Sequence, residues 1–108
     1  MAAAARDFSI VLTTVDSREA AERILARALD DRLAACVQVC EIESHYMWDG
    51  ERRRSPEFLL SLKIKTADYA QLADAIREVH PYDTPEILRV EVAEGDPRYL
   101  AWMRASTR

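Results

Sequence analysis

Glycine is nearly missing from this chain: Gly50 and Gly95 are the only two in 108 residues. That excludes a glycine-rich phosphate loop, which needs several glycines close together so that backbone amides can approach an anion. It also excludes a flexible Gly/Ser linker between domains. Cysteine is equally scarce. Cys36 and Cys40 stand four residues apart in a strand-like segment, where such positions share a side but lie roughly 13 Å apart, too far for a disulfide within one strand. The spacing is wrong for a zinc knuckle, so reduced thiols and a cytoplasmic protein are expected. No apolar run approaches the roughly 20 residues that span a bilayer. Met1-Ala2-Ala3-Ala4-Ala5 carries no basic region ahead of a hydrophobic core, so neither a membrane partner nor a signal peptide is expected. Positive charge is not in excess either: 15 basic against 19 acidic side chains give −4. Nucleic acid is therefore not an expected partner, and Arg52-Arg53-Arg54 reads as a solvated hairpin tip.

What is present is a globular composition, 49% apolar and 31% charged, long enough for one two-layer core and not for two. Residues 7–108 are expected to form one domain behind a frayed segment 1–6. Phe8 to Thr14 reads as a strand, with Phe8, Ile10 and Leu12 on one face and Ser9, Val11 and Thr13 on the other. Asp16 with Glu19 predicts a capping box opening a helix to about Asp30, its apolar stripe built from Ala20, Ile24, Ala28, Ala21, Leu25 and Leu29. Ala34 to about Trp48 is strand-like and long. Asp49-Gly50 is a hairpin signal, and the chain returns through Pro56 into a strand over Glu57 to Lys65, with Phe58, Leu60, Leu62 and Ile64 alternating. A second helix starts at Thr66 or Ala67 and buries Tyr69, Leu72, Ala73, Ile76 and Val79. Glu86 to Ala93 reads as the last strand, with Leu88, Val90 and Val92 facing inward. Asp96-Pro97 predicts an N-cap and a short terminal helix carrying Tyr99, Leu100, Trp102 and Met103.

The order β-α-β-β-α-β plus a terminal helix predicts an α+β, ferredoxin-like domain: one antiparallel sheet, both long helices on one face, and a long central hairpin. The other face, carrying Val11 and Leu59, is too apolar for a solvated sheet. That face and the long hairpin predict an oligomer. Between the second helix and the last strand lies His80-Pro81-Tyr82-Asp83-Thr84-Pro85-Glu86-Ile87. Two prolines make this connection rigid, and rigid polar loops at strand ends are where sites are often built.

Several local patterns coincide along the chain. Leu33-Ala34-Ala35-Cys36-Val37, Tyr46-Met47-Trp48-Asp49-Gly50, Lys65-Thr66, the double-proline loop and Tyr99-Leu100-Ala101-Trp102 occur in this order. Together they resemble the CutA family of divalent-cation tolerance proteins, from about Phe8 to Arg104. The resemblance implies a homotrimer built like the PII signalling proteins, binding copper, zinc or other divalent ions without an established reaction and with no obligatory cofactor. It implies Cys36 and His80 as metal donors, soft and borderline types suited to copper or zinc. It also implies an inter-subunit cleft of Trp48, Glu57, Lys65, Tyr82, Asp83 and Glu86. The chain departs from the family at several points. Thr13 or Thr14 stands where some relatives carry cysteine, Val79 where some carry histidine, Leu59 where an acidic residue is common, Glu51 where lysine is usual, and Met47 where an aromatic is. Fewer soft donors imply weaker binding.

Four functions are compatible with these residues. A non-enzymatic trimer that binds metal ions and serves the response to them comes first. A PII-like signalling module holding a small anionic metabolite in its cleft is the alternative. A hydrolase or isomerase would use His80, Tyr82, Asp83 and Glu86 as acid–base groups, but no nucleophile with an adjacent base is evident. A purely structural trimer would use the polar cluster for assembly. No downstream partner can be named.

Overall fold

The computed structural model of the chain describes residues 4–108. A 3-10 turn at Ala5–Asp7 leads into β1 (Phe8–Val15), followed by α1 (Arg18–Asp30), β2 (Ala34–Trp48) and β3 (Glu51–Lys65). A second 3-10 turn at Thr66–Asp68 opens into α2 (Tyr69–Val79), then β4 (Leu88–Glu91) and α3 (Pro97–Ala105). The four strands form one sheet in the order β2-β3-β1-β4, every neighbouring pair antiparallel. This is the expected α+β, ferredoxin-like arrangement. Of the segment expected to be frayed, residues 1–3 lie outside the described residues. Arg6 pairs with Glu91 at 3.0 Å, and its carbonyl accepts from the Thr66 hydroxyl at 3.0 Å.

Helices α1 and α2 cover one face of the sheet. Val11, Val15, Leu60, Leu62 and Ile64 from the strands pack there against Ile24, Ala28, Leu72 and Ile76. A smaller cluster of Phe8, Leu100 and Met103 lies under α3 on the other face. Two expectations about β1 and β4 are corrected. Val11 is fully buried on the helix-covered face, opposite Leu62, so it does not belong to the bare face. Leu88 and Val90 do not face inward: they are 55% and 50% exposed and stand opposite Leu12 and Ile10 on the bare face. The strand containing them is also shorter than predicted, four residues.

At α1 the cap is Ser17, whose hydroxyl accepts from the Ala20 N–H at 3.1 Å, so the predicted Asp16–Glu19 box is not the cap. Ser17 has extended backbone at φ −147°, ψ 154°, the conformation a capping residue needs. Leu29 is exposed because it sits about 140° around the helix from Ile24. A Ser17→Ala change is expected to cost about 1 kcal/mol, read as a lower urea midpoint with unchanged slope. At α3 the predicted cap is present: the Asp96 carboxylate accepts from the N–H groups of Arg98 at 2.8 Å and Tyr99 at 3.2 Å.

The hairpin turns at Asp49 and Gly50 with φ of 53° and 76°, the two left-handed residues that a tight reversal between twisted strands requires. Strand β3 starts at Glu51, earlier than predicted, and runs through Pro56. Strand β1 pairs with β3 only from Phe58 onward, so Pro56 lies in a two-stranded arm where one edge needs no donor. This arm projects from the body and gives the molecule its 50 × 26 × 22 Å extents.

Candidate functional site

The double-proline loop closes on the end of β1. Strand β4 pairs only with Ser9 to Leu12 of β1, so beyond Leu12 that edge has no strand partner. His80 supplies the missing donor: its Nε2 lies 3.0 Å from the Thr14 carbonyl and 3.2 Å from the Thr13 hydroxyl. The Tyr82 N–H donates to His80 Nδ1 at 3.1 Å. A nitrogen that accepts carries no proton, so Nε2 carries it and donates to Thr14. Burial lowers the imidazole pKa, opposed by the Thr14 hydrogen bond and by the charges of Asp16 and Glu57.

Tyr82 turns back over this imidazole, the ring centroids 5.0 Å apart and tilted by 60°, and its hydroxyl donates to Glu57 Oε2 at 2.7 Å. Burial pushes the phenol pKa well up, and the hydrogen bond to Glu57 with the charge behind it pushes the same way. Partial desolvation, with the Glu57 carboxylate second, raises the Glu86 carboxyl. His80, Tyr82, Glu57 and Glu86 thus form one cluster at the root of the hairpin. Asp83 follows Tyr82 on the exposed part of the loop. Thr13, Thr14 and Asp16 complete the surroundings. Sequence reasoning had not tied these three to the loop, because about 66 residues separate Thr14 from His80 and no local pattern connects them.

The family profile described as CutA1 divalent ion tolerance protein matches residues 9–106. The chain belongs to this CutA1 family. It is 39% identical over 99 residues to the divalent-cation tolerance protein CutA of Thermus thermophilus, covering 91% of this chain and 96% of that one. A rice relative, the chloroplastic protein CutA 1, is 34% identical over 92% of this chain and 56% of its own length. Among solved structures, the Archaeoglobus fulgidus protein, described as a periplasmic divalent cation tolerance protein CutA, superposes with a TM-score of 0.90 at 31% identity. That alignment covers 94% of this chain and 99% of the other. The relatives are thus described in more than one compartment, and among the described residues of this CutA chain no helix is long and apolar enough to cross a membrane.

The remaining expected site residues of this CutA protein lie elsewhere. Cys36 is half-buried on the bare face of the sheet, opposite Lys63. The Lys63 ammonium donates to the Tyr99 hydroxyl at 3.0 Å, the bond that chiefly raises its pKa. Two strand spacings and about four residues of rise separate Cys36 from the Thr14 edge that holds His80, roughly 10 Å across and 13 Å along the sheet. Within one chain the two donors cannot share a metal, whose bonds to sulfur and nitrogen are only about 2.0–2.3 Å long. Among the described residues no group of three or more His, Cys, Asp or Glu is placed to hold a metal ion, so one chain by itself does not fit one. Trp48 is exposed at the hairpin tip, six residues along β2 from Ile42, the partner of Glu57. Lys65 ends β3 eight residues beyond Glu57, on the same face, and donates to the main-chain oxygen of Arg108. The expected cleft residues therefore occupy three separate places in a single subunit.

Proposed function

We propose that this CutA protein is a non-enzymatic homotrimer that binds divalent metal ions such as copper or zinc and serves the cell's response to them, in the cytoplasm. Membership of the divalent ion tolerance family over residues 9–106 carries this reading. The trimer is supported by the apolar bare face, where Ile10, Leu12, Leu59, Leu88 and Val90 stand together, and by the projecting hairpin arm. In such an assembly Trp48, Glu57, Lys65, Tyr82, Asp83 and Glu86 line the cleft between subunits. The cytoplasmic assignment rests on two free thiols, Cys36 and Cys40, which a reducing compartment preserves.

For metal binding, Cys36 and His80 are unequal donors. The Cys36 thiol is free and half-exposed. His80 already uses both ring nitrogens, and becomes a metal donor only by breaking one of these bonds: Nδ1 by losing the Tyr82 N–H, or Nε2 by shifting its proton to Nδ1 and losing both. The same wiring supports a non-enzymatic reading, since an imidazole with both nitrogens engaged is not a free general base. Copper and zinc titration of tag-free, EDTA-treated protein tests the proposal. Cys36→Ala is expected to weaken the tightest binding by ten-fold or more, and His80→Ala to weaken it less. If both variants bind as the parent does, the ligand assignment is wrong.

A further inference from the structure

At the end of the sheet away from the hairpin, the turn Ala5–Asp7, the end of β3 and helix α3 frame an open groove of about 400 Å³. Its lining is Arg6, Asp7, Lys65, Thr66, Ala67 and Arg104. Three cationic side chains from distant parts of the sequence thus meet at one place, on a chain whose net charge is −4. Only one carboxylate, Asp7, faces them in that lining, and its contact with Arg104 is long at 3.4 Å and solvent-exposed. The Glu91 carboxylate that pairs with Arg6 lies outside the lining, and Lys65 is engaged by the main-chain oxygen of Arg108.

The groove is held in shape from beneath. The Arg104 guanidinium lies 5.1 Å from the ring centroid of Phe8, a fully buried side chain. The Thr66 hydroxyl bonds the buried Ser9 hydroxyl at 2.7 Å and the Arg6 carbonyl at 3.0 Å, tying the Arg6 turn to the sheet. The cations are therefore set on a rigid frame.

We propose that this groove binds a small polyanion bearing two or more linked phosphate groups. A guanidinium fork matches phosphate oxygens in pairs, and a lysine adds a point charge. One exposed ion pair gains little in water, so a simple monovalent anion finds no purchase here. A linked polyphosphate engages all three cations at once, replacing the Arg108 main-chain oxygen at Lys65, and a groove of this volume is within the range that takes a small molecule. The site is distinct from Cys36 and from the His80 cluster, shares Lys65 with the proposed inter-subunit cleft, and needs no metal.

Sodium tripolyphosphate is the probe, titrated calorimetrically into EDTA-treated protein, with sulfate and chloride at matched ionic strength as controls. The parent is expected to show saturable binding that the controls do not reproduce. Arg6→Gln and Arg104→Gln are each expected to weaken it ten-fold or more, while a hairpin control, Arg52→Gln/Arg53→Gln, leaves it unchanged. Asp7→Asn removes the opposing carboxylate and is expected to tighten binding several-fold, a gain that structural damage cannot imitate. If Arg104→Gln unfolds, the exposed Arg6 and Asp7 variants decide. No saturable binding by the parent, equal loss in the hairpin control, or unchanged binding in Arg6→Gln and Asp7→Asn would overturn the proposal.

Discussion

A Leu88→Glu/Val90→Glu double variant is expected to elute as a monomer under conditions where the parent scatters light as a trimer. Both side chains are at least half exposed in the single chain and stand beside Ile10 and Leu12 on the face that neither α1 nor α2 covers. A carboxylate buried in an interface without a partner costs several kcal/mol, and symmetry repeats that cost at every contact of a closed ring. The chain's main core is on the other side of the sheet and neither side chain belongs to the smaller cluster under α3, so the far-ultraviolet circular dichroism of the variant is expected to match the parent. A double variant that keeps three times the mass of one chain would show that another surface holds the subunits together.

His80→Ala is expected to destabilise the fold by roughly 2–4 kcal/mol, because two part-buried backbone partners lose their hydrogen bond at about 1–2 kcal/mol each. Those partners are the Thr14 carbonyl at the bare edge of β1 and the Tyr82 N–H in the loop. The same residue gives stability a pH dependence. Burial holds its pKa below the ordinary imidazole value of 6.5, so the unfolded chain takes up a proton that the folded one refuses. The contribution of His80 is fully present above pH 6.5 and is lost as pH falls through the folded value. Glu86 acts in the opposite sense: its raised carboxyl contributes below 4.5, and that contribution is lost as pH rises through its folded value. Urea midpoints in EDTA between pH 7.5 and 5 test this. The parent is expected to lose stability toward pH 5, and His80→Ala is expected to lose less over the same range. Parallel pH profiles would mean that the imidazole is not the group responsible.

The element order, the hairpin turn at Asp49-Gly50, the Asp96-Pro97 cap and the buried sides of β3 and α2 were legible in the sequence. Each rests on short-range rules: alternation in strands, a 3.6-residue period in helices, and left-handed turn residues. The faces of β1 were assigned wrongly for a physical reason. Ser9 and Thr13 are buried beside Val11 on the helix-covered side, where polarity argues against them. They are tolerated because their hydroxyls are satisfied from afar, Ser9 by Thr66 and Arg89 and Thr13 by His80. Meanwhile Ile10 and Leu12 carry the apolar character of the opposite face, so both sides of this strand read alike. At α1, Asp16 and Ser17 are both good caps, and only the position where β1 ends selects Ser17.

The candidate site divides along the same line. The residue types and order of the double-proline loop, together with Cys36, Trp48 and Lys65, suffice for the family, because a family pattern is a property of sequence. Which of these residues meet is not. Folding carries His80 to the Thr14 edge and Tyr82 to Glu57. It also leaves Cys36 on another strand of the bare face, Trp48 at the hairpin tip, and Lys65 at the far end of β3 beside Arg6 and Arg104. Local rules fix which segments become strands and helices, since their energies depend on neighbours a few residues away. Register and strand order decide which chemistry converges, since residues 25 to about 100 positions apart become neighbours only when the sheet closes.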